Sequence, residues 1–166
     1  MARWRPPPHK SSPYITPEGE RALQSELQEL WQLRRRDVVP AITAAAAEGD
    51  RSENAEYIYR KKQLGEIDRR IRYLSKRLDV VEIVDRIPPH QDKVFFGSFV
   101  TLREENGAIV CYRIVGADEI DPALGYISVD SPMARALLGK CCDDDVLVQL
   151  PEQTANYTVL EVSYRK

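Results

Sequence analysis

Between residues 14 and 86, apolar residues recur among polar ones with the spacing of two long helices. The first run has the apolar residues Leu23, Leu27, Leu30, Trp31, Val38, Ile42 and Ala45. The second has Tyr57, Leu64, Ile67, Ile71, Leu74, Leu78 and Val81. The steps of three and four in the second run are those of a coiled-coil seam. The pattern predicts two helices of about 30 residues that fold back on each other as an antiparallel hairpin roughly 45 Å long.

Local signals set the start of the first helix and one interruption within it. Thr16, Pro17 and Glu18 form a start signal: a capping hydroxyl, a proline suited to the first turn, and an acid at the positive end of the helix dipole. Pro40 lies inside the first helical run. Its ring displaces the carbonyl one turn back, so we expect a kink or a break there.

The bend between the helices, "EGDRSENAEY" at residues 48–57, is unusually acidic. Asp50 followed three residues later by Glu53 has the form of a capping box, with Asp in place of Ser or Thr. The alternative is that these two carboxylates complete a divalent metal site supplied mostly by another molecule. Residue types alone favour capping, because acids are routine at helix N-termini.

The C-terminal half changes to β-rich runs. "DRIPPHQDK", residues 85–93, breaks the helix with two prolines. The runs "VFFGSFVTL" and "GAIVCYRIV" flank Asn106-Gly107, a strong hairpin signal, and "YISVD", "DDVLVQL" and "YTVLEVSY" are three further candidate strands. Ser131 as cap, Pro132 in the first turn and Gly139 past the end predict one short helix.

These patterns predict an α+β protein with two domains. We expect a disordered tail over residues 1–13, because that segment is rich in Pro, Ser and basic residues without periodicity. The coiled-coil hairpin with its acidic tip occupies residues 14–86 and a linker residues 87–93. A small antiparallel sheet domain with one short helix follows over residues 94–166.

Composition narrows the class of protein. The chain has 166 residues, 43% of them hydrophobic, and a net charge of −2. No apolar run is long enough to cross a bilayer and the first ten residues lack the apolar centre of a secretory signal, so a cytoplasmic protein that does not bind membranes is expected. Cys111, Cys141 and Cys142 have no zinc-like spacing and are expected to be reduced thiols.

Basic residues are concentrated on the second helix. Residues 60–77 contain Arg60, Lys61, Lys62, Arg69, Arg70, Arg72, Lys76 and Arg77 against only two acids. Three of them, Lys62, Arg69 and Lys76, repeat every seven residues and share a face off the apolar seam. This stripe is either a solvated face or the binding surface for a polyanion.

The chain resembles the bacterial Gre transcript-cleavage factors over about residues 14–165. The resemblance is carried by "GDRSENAEYIYRKK", "EIDRRIRYL", "KVFFG", "YRIVG" followed by "DEI", and "ISVDSPMARALLGK". The Arg51-Ser52 pair, Tyr59 and Lys61-Lys62 are typical of the GreB type. The N-terminal extension and Pro40 depart from the family pattern.

The resemblance implies a transcription elongation factor that binds bacterial RNA polymerase. Its coiled coil would enter the secondary channel and stimulate the polymerase's own cleavage of backtracked RNA, so the protein would not be an enzyme by itself. The acids that match are Asp50 and Glu53, which would share a second Mg²⁺ with polymerase aspartates and orient the attacking water. No magnesium would be bound stably by the isolated protein, because two carboxylates do not supply octahedral coordination.

Two further surfaces follow from the resemblance. Lys61, Lys62 and Arg60 lie just behind the tip, where they could hold the extruded RNA 3′ end by its phosphates, and Tyr59 is near enough to stack on a base. The C-terminal module resembles the family's FKBP-like domain, which docks on the polymerase. The segment "DSPMARALLGK" is the expected docking segment, with the residues Ser131, Pro132, Met133 and Arg135.

Two other functions fit the same sequence. One is a secondary-channel regulator that does not activate cleavage, although the presence of Asp50 and Glu53 argues against it. The other is a structural coiled-coil adaptor that self-associates through Leu64, Ile67, Ile71, Leu74 and Leu78. An intramolecular hairpin satisfies the seam within one chain and predicts a monomer, whereas an adaptor should dimerise.

Overall fold

The computed structural model describes residues 11–49, 54–149 and 154–164. They fall into two compact units. The helical unit, or hairpin unit, comprises residues 20–81, and the sheet unit comprises residues 11–19 together with 82–164. The elements in chain order are β1 (Tyr14–Ile15), α1 (Pro17–Leu33), a π-helical turn (Arg34–Val38), α2 (Val39–Ala47), α3 (Ala55–Leu78), β2 (Glu82–Ile83), β3 (Phe99–Glu104), β4 (Ile109–Val115), a 3₁₀ turn (Pro122–Leu124), β5 (Tyr126–Ser128), α4 (Pro132–Leu137), β6 (Asp145–Gln149) and β7 (Thr154–Ser163). None of the helices in these ranges is long and apolar enough to cross a membrane.

The helical unit is the predicted hairpin, with an interruption at the predicted proline. Pro40 lies in the first turn of α2, directly after the π-helical turn Arg34–Val38. A wider turn relieves the clash between the proline ring and the carbonyl one turn back, which is why the helix changes its winding here. The predicted disturbance next to Pro40 therefore takes the form of a change of winding, and there is no break, because Val38 and Val39 keep helical backbone angles.

The hairpin has two arms, α1 with α2 and α3, and the apolar seam between them is buried within the chain. Val38 is fully buried and contacts the buried Ile67 and Ile71. The partly buried residues packed around them are Leu27, Leu30, Leu33, Ile42 and Leu64. Trp31 was predicted to belong to this stripe, but 47% of its surface is exposed and the guanidinium of Arg34 lies 5.6 Å from its ring centroid. That prediction is wrong, because the apolar stripe already has Leu27, Leu30 and Leu33 facing α3.

Two ion pairs link the arms across the seam. Arg34 Nε lies 2.8 Å from Asp68, and Arg70 binds both carboxylate oxygens of Glu26 at 2.6 and 2.8 Å. Both pairs are partly exposed, so each contributes at most about 1 kcal/mol to stability. Their main effect is to fix which turns of the two arms face each other.

The second unit is built on a five-stranded sheet in the order β5-β4-β3-β7-β6. The β3–β4 hairpin turns at Gly107, whose φ of +87° favours glycine, and Asn106 Oδ1 accepts from the Ala108 N–H at 2.7 Å. The strands pair antiparallel except that β5 runs parallel to β4. This one pairing differs from the predicted antiparallel pattern, because the chain crosses from β4 to β5 through a 3₁₀ turn instead of a hairpin.

Helix α4 covers the apolar face of this sheet. Ala134 and Leu137 are fully buried there together with Val94, Val100, Leu102, Ile114, Val146, Val148 and Val159. Ser131 Oγ accepts from the Ala134 N–H at 3.1 Å, and Gly139 follows the helix with a φ of +81°. The predicted cap and stop signals of this short helix are therefore confirmed.

Residues before α1 belong to the sheet unit. The short strand β1 pairs in parallel with β2, and Ile15 is completely buried. The Ser12 N–H donates to Asp130 at 2.8 Å, and the carbonyl of Pro13 accepts from Glu82. The end of the segment predicted as a tail is thus held against the sheet unit, while residues 1–10 lie outside the described residues.

Candidate functional site at the hairpin tip

The two helices of the hairpin are joined by a short loop whose ends have fixed geometry. Helix α2 ends at Ala47, and Gly49 follows with a φ of +136°, a conformation that side chains with a Cβ rarely adopt. Helix α3 begins at Ala55 with Asn54 as its N-cap. Asp50 and Glu53, the predicted metal ligands, lie between these points and outside the described residues.

Asn54 holds both sides of this loop. Its side-chain oxygen accepts from the Tyr57 N–H at 3.1 Å, which caps α3. Its Nδ2 donates to the carbonyl of Ala45 in the last turn of α2 at 2.9 Å. The side chain therefore satisfies the free Tyr57 N–H at the start of α3. It also adds a second donor to the Ala45 carbonyl, which accepts from the Glu48 N–H as well, and so links the two helix ends directly.

This arrangement corrects the predicted capping box. The N-cap of α3 is Asn54, four residues after Asp50, so the cap interpretation of Asp50 and Glu53 is wrong for this helix. Sequence analysis missed Asn54 because the Asp50–Glu53 spacing matched the familiar motif first. The available signal was that Asn is as good a cap as Asp and that Glu56 follows it in the first turn.

The predicted RNA contacts lie on the first two turns of α3. Tyr59 is 60% exposed and Lys61 and Lys62 are exposed. Lys61 Nζ lies 5.4 Å from the ring centroid of the half-buried Tyr57. Arg60 donates to Glu56 at 2.7 Å and lies over the Tyr59 ring at 5.7 Å. The hydrogen bond to Glu56 raises the pKa of Arg60 and ties its guanidinium to the helix.

These contacts divide the basic side chains behind the tip, Arg60, Lys61 and Lys62, into two groups. Among the described residues neither Lys61 nor Lys62 makes an ion pair, and Lys61 Nζ lies near the Tyr57 ring, so both ammonium groups can bind an anion. Arg60 would have to break its hydrogen bond to Glu56 before it could bind the same anion. The Tyr59 ring already has a cation on one face, which leaves its other face for stacking.

The predicted docking residues separate into exposed and partly buried positions at and within α4. Pro132 and Arg135 are exposed, and Leu138 just past the helix is 38% exposed. Met133 packs against the buried core, and Ser131 is used as the helix cap. A partner could therefore contact Pro132 and Arg135 directly, whereas Met133 and Ser131 shape the segment that carries them.

Family models match both units of the chain. A model described as "Transcription elongation factor, N-terminal" covers residues 13–83, and one described as "Transcription elongation factor, GreA/GreB, C-term" covers residues 88–164. The chain is 56% identical to transcription elongation factor GreB of Xanthomonas axonopodis pv. citri over 165 residues, covering 99% of this chain and 98% of that protein. It is 51% identical to transcription elongation factor GreB of Pseudomonas aeruginosa over 164 residues, with the same coverage.

Solved structures also align, at lower similarity. Among them is a prokaryotic transcription elongation factor GreA/GreB from Nitrosomonas europaea, 23% identical, with a TM-score of 0.40. The alignment covers 93% of this chain and 100% of that one.

Proposed function

Since the chain belongs to the GreA/GreB family of transcription elongation factors, we propose that its hairpin enters the secondary channel of bacterial RNA polymerase and stimulates the polymerase to cleave backtracked RNA. The polymerase carries out the chemistry and this protein is not catalytic alone. It acts as a monomer in the cytoplasm, and cleavage releases arrested elongation complexes by creating a new RNA 3′ end.

The tip of the hairpin supports this proposal. Asp50 and Glu53 lie in the short segment between α2 and α3, residues 48–54, and Asn54 at its end bonds back to Ala45 in α2. Capping does not account for the two acids, because Asn54 supplies the cap. A loop anchored in this way can present carboxylates at the end of a stiff pair of helices, which is what reaching into a narrow channel requires.

Asp50 and Glu53 supply the kind of ligand that magnesium prefers, but too few of them to form a complete site. Carboxylate oxygens are preferred ligands for Mg²⁺, yet Asp50 and Glu53 leave most of an octahedral shell to be filled by polymerase carboxylates and water. When bound, this ion would stabilise the attacking and leaving oxygens of phosphodiester cleavage. The contribution of this chain is to bring the two carboxylates into place, where they also accept hydrogen bonds from the attacking water and orient it.

The structure favours this function over a coiled-coil adaptor. An adaptor would leave its seam for a second chain, but Ile67 and Ile71 are 6% and 5% exposed and pack against Val38 of the same chain. A channel regulator without cleavage activity is the remaining alternative. Substitution of Asp50 and Glu53 at the tip can distinguish the two functions experimentally.

The decisive experiment compares three variants in a cleavage assay on a backtracked polymerase complex. Asp50→Asn and Glu53→Gln should each lose most of the stimulated cleavage while still competing with the wild-type protein for polymerase. Glu48→Gln is the matched control, because it removes the same charge from an exposed residue at the end of α2. Cleavage at the wild-type rate by Asp50→Asn and Glu53→Gln would refute their role as ligands.

A further inference from the structure

The first turn of α1 is held by a carboxylate from the sheet unit. Glu119 Oε2 accepts from the Thr16 N–H at 3.0 Å and from the Gly116 N–H at 2.9 Å, and Glu119 Oε1 accepts from the Thr16 hydroxyl. The Thr16 oxygen in turn accepts from the Gly19 N–H at 3.1 Å, which caps the helix. Thr16 is only 2% exposed, so these bonds are shielded from water.

Two glycines leave the space that this carboxylate occupies. A Cβ on Gly19 would overlap the carboxyl group of Glu119. A Cβ on Gly116 would overlap the carbonyl oxygen of Tyr14 and lie 2.9 Å from Glu119 Oε2. Glycine inside a helix is less favourable than alanine, so its presence at position 19 indicates that the room for Glu119 matters more than helix propensity.

We propose that Glu119 is a positioning residue for stimulated cleavage, because it fixes the point from which α1 starts. Helix α1 begins among residues of the sheet unit and continues without a break to Leu33 in the hairpin unit. A carboxylate that accepts three hydrogen bonds holds such a starting point firmly. This inference rests on the proposed function, in which the tip acids must reach a reacting phosphate accurately, and small misplacement of such groups lowers the rate steeply.

The first test separates geometry from charge. Glu119→Ala removes both acceptor oxygens and with them all three hydrogen bonds, so the maximal cleavage rate at saturating protein should fall about tenfold. The concentration needed for half of that rate should stay the same, because the docking surface is unchanged. Glu119→Gln should restore most of the rate, since its oxygen can accept from both backbone donors and its amide can donate to Thr16. A loss with Gln as large as with Ala would overturn the inference.

The second test leaves Glu119 in place. Gly19→Ala should push the carboxylate away from Thr16 and lower the maximal rate, although alanine is the better helix former. Gly65→Ala in α3 is the matched control, because the nearest atom to its Cβ is an arginine nitrogen at 3.8 Å, and it should cleave like the wild type. If Gly19→Ala and Glu119→Ala both reach the wild-type maximal rate, Glu119 does not position the active residues.

A third measurement needs no polymerase and so separates this inference from the proposed function. In the isolated full-length protein, amide hydrogen exchange at Thr16 and Gly116 should become about tenfold faster in Glu119→Ala, as expected when a local hydrogen-bonded turn opens more readily. Exchange at the core residues Val100 and Leu102 should not change. Unchanged exchange at Thr16 and Gly116 would refute the anchor itself, whereas loss of cleavage stimulation in the wild type would refute only the proposed function.

Discussion

Asn54 donates a hydrogen bond to the carbonyl of Ala45 at 2.9 Å and thereby links the start of α3 to the end of α2. The same side chain caps α3 through the Tyr57 N–H. Only an amide side chain of this length offers both a donor and an acceptor in this geometry, since aspartate can cap but cannot donate when ionised. The tip of the hairpin therefore depends on the identity of residue 54 as well as on its acids.

The first prediction concerns stability at this position. Asn54→Ala should lower the free energy of unfolding by about 1 kcal/mol or more, because it removes a cap and leaves the helix ends unlinked. Asn54→Asp should lose less, since it keeps the cap. Asp50→Asn is the control and should unfold at the same denaturant concentration as the wild type. An Asp50→Asn loss equal to that of Asn54→Ala would return the capping role to Asp50.

The second prediction tests the two lysines just behind the tip, Lys61 and Lys62. Replacing Lys61 and Lys62 with alanine should weaken cleavage of backtracked complexes more than it weakens binding to polymerase. The defect should narrow as salt is raised, because the variant has fewer phosphate contacts for salt to screen. Arg69→Ala with Lys76→Ala removes the same charge from exposed positions one and two heptads further from the tip. Equal defects in the two double variants would show that total charge matters and the tip does not.

The third prediction is a pH dependence of hairpin stability. The hydrogen bonds from Arg70 hold the pKa of Glu26 below its usual value of 4.5. A lowered pKa in the folded state means that the pair stabilises the protein above about pH 4.5 and that this contribution disappears as the pH falls through the lowered value.

Glu26→Gln should therefore destabilise the protein at neutral pH by less than about 1 kcal/mol, because both side chains are partly exposed. The difference from the wild type, measured by chemical denaturation, should vanish in acid. Glu66→Gln removes an exposed carboxylate from α3, the helix that carries Arg70, and should show no such trend. A Glu26→Gln difference that persists at low pH would contradict the assigned ion pair.

Patterns repeated over several turns made most of the fold predictable. Ile67 and Ile71 belong to a run of apolar residues spaced three and four apart, and a hairpin buries this stripe within one chain. The short helix α4 was predicted by its cap and stop residues, because both act through the local backbone: Ser131 accepts from the Ala134 N–H, and Gly139 adopts a positive φ.

The features that the sequence did not predict depend on contacts between distant residues. Whether Trp31 or Leu30 faces α3 depends on how the two arms are rotated, which the π-helical turn alters. Glu119 gave no signal as the partner of Thr16, because the two lie 103 residues apart. At the tip, Asp50 and Asn54 are both good capping residues and lie within five residues of each other. Only the observed start of α3 at Ala55 identifies Asn54 as the cap. The roles of Asp50, Glu53 and the basic residues remain predictions.

The last prediction concerns where polymerase binding resides. If the C-terminal module docks and the hairpin acts, cutting the chain near Pro89 should separate the two functions. A fragment of residues 92–166 contains the whole buried core from Val94 to Val159, so it should fold. It should also be less stable than the intact unit, because it lacks the buried Ile15 and the hydrogen bonds of Thr16 to Glu119.

This fragment should compete with the full-length protein for polymerase without stimulating cleavage. Pro132→Ala with Arg135→Ala in the fragment should weaken that competition, because both side chains are exposed on α4, whereas Arg103→Ala on strand β3 is a control outside the predicted docking segment. The hairpin alone, residues 14–86, should keep some cleavage activity but only at higher concentration, since it loses the effective concentration that a docked second domain supplies. A hairpin fragment as potent as the whole protein would show that the C-terminal module is not the dock.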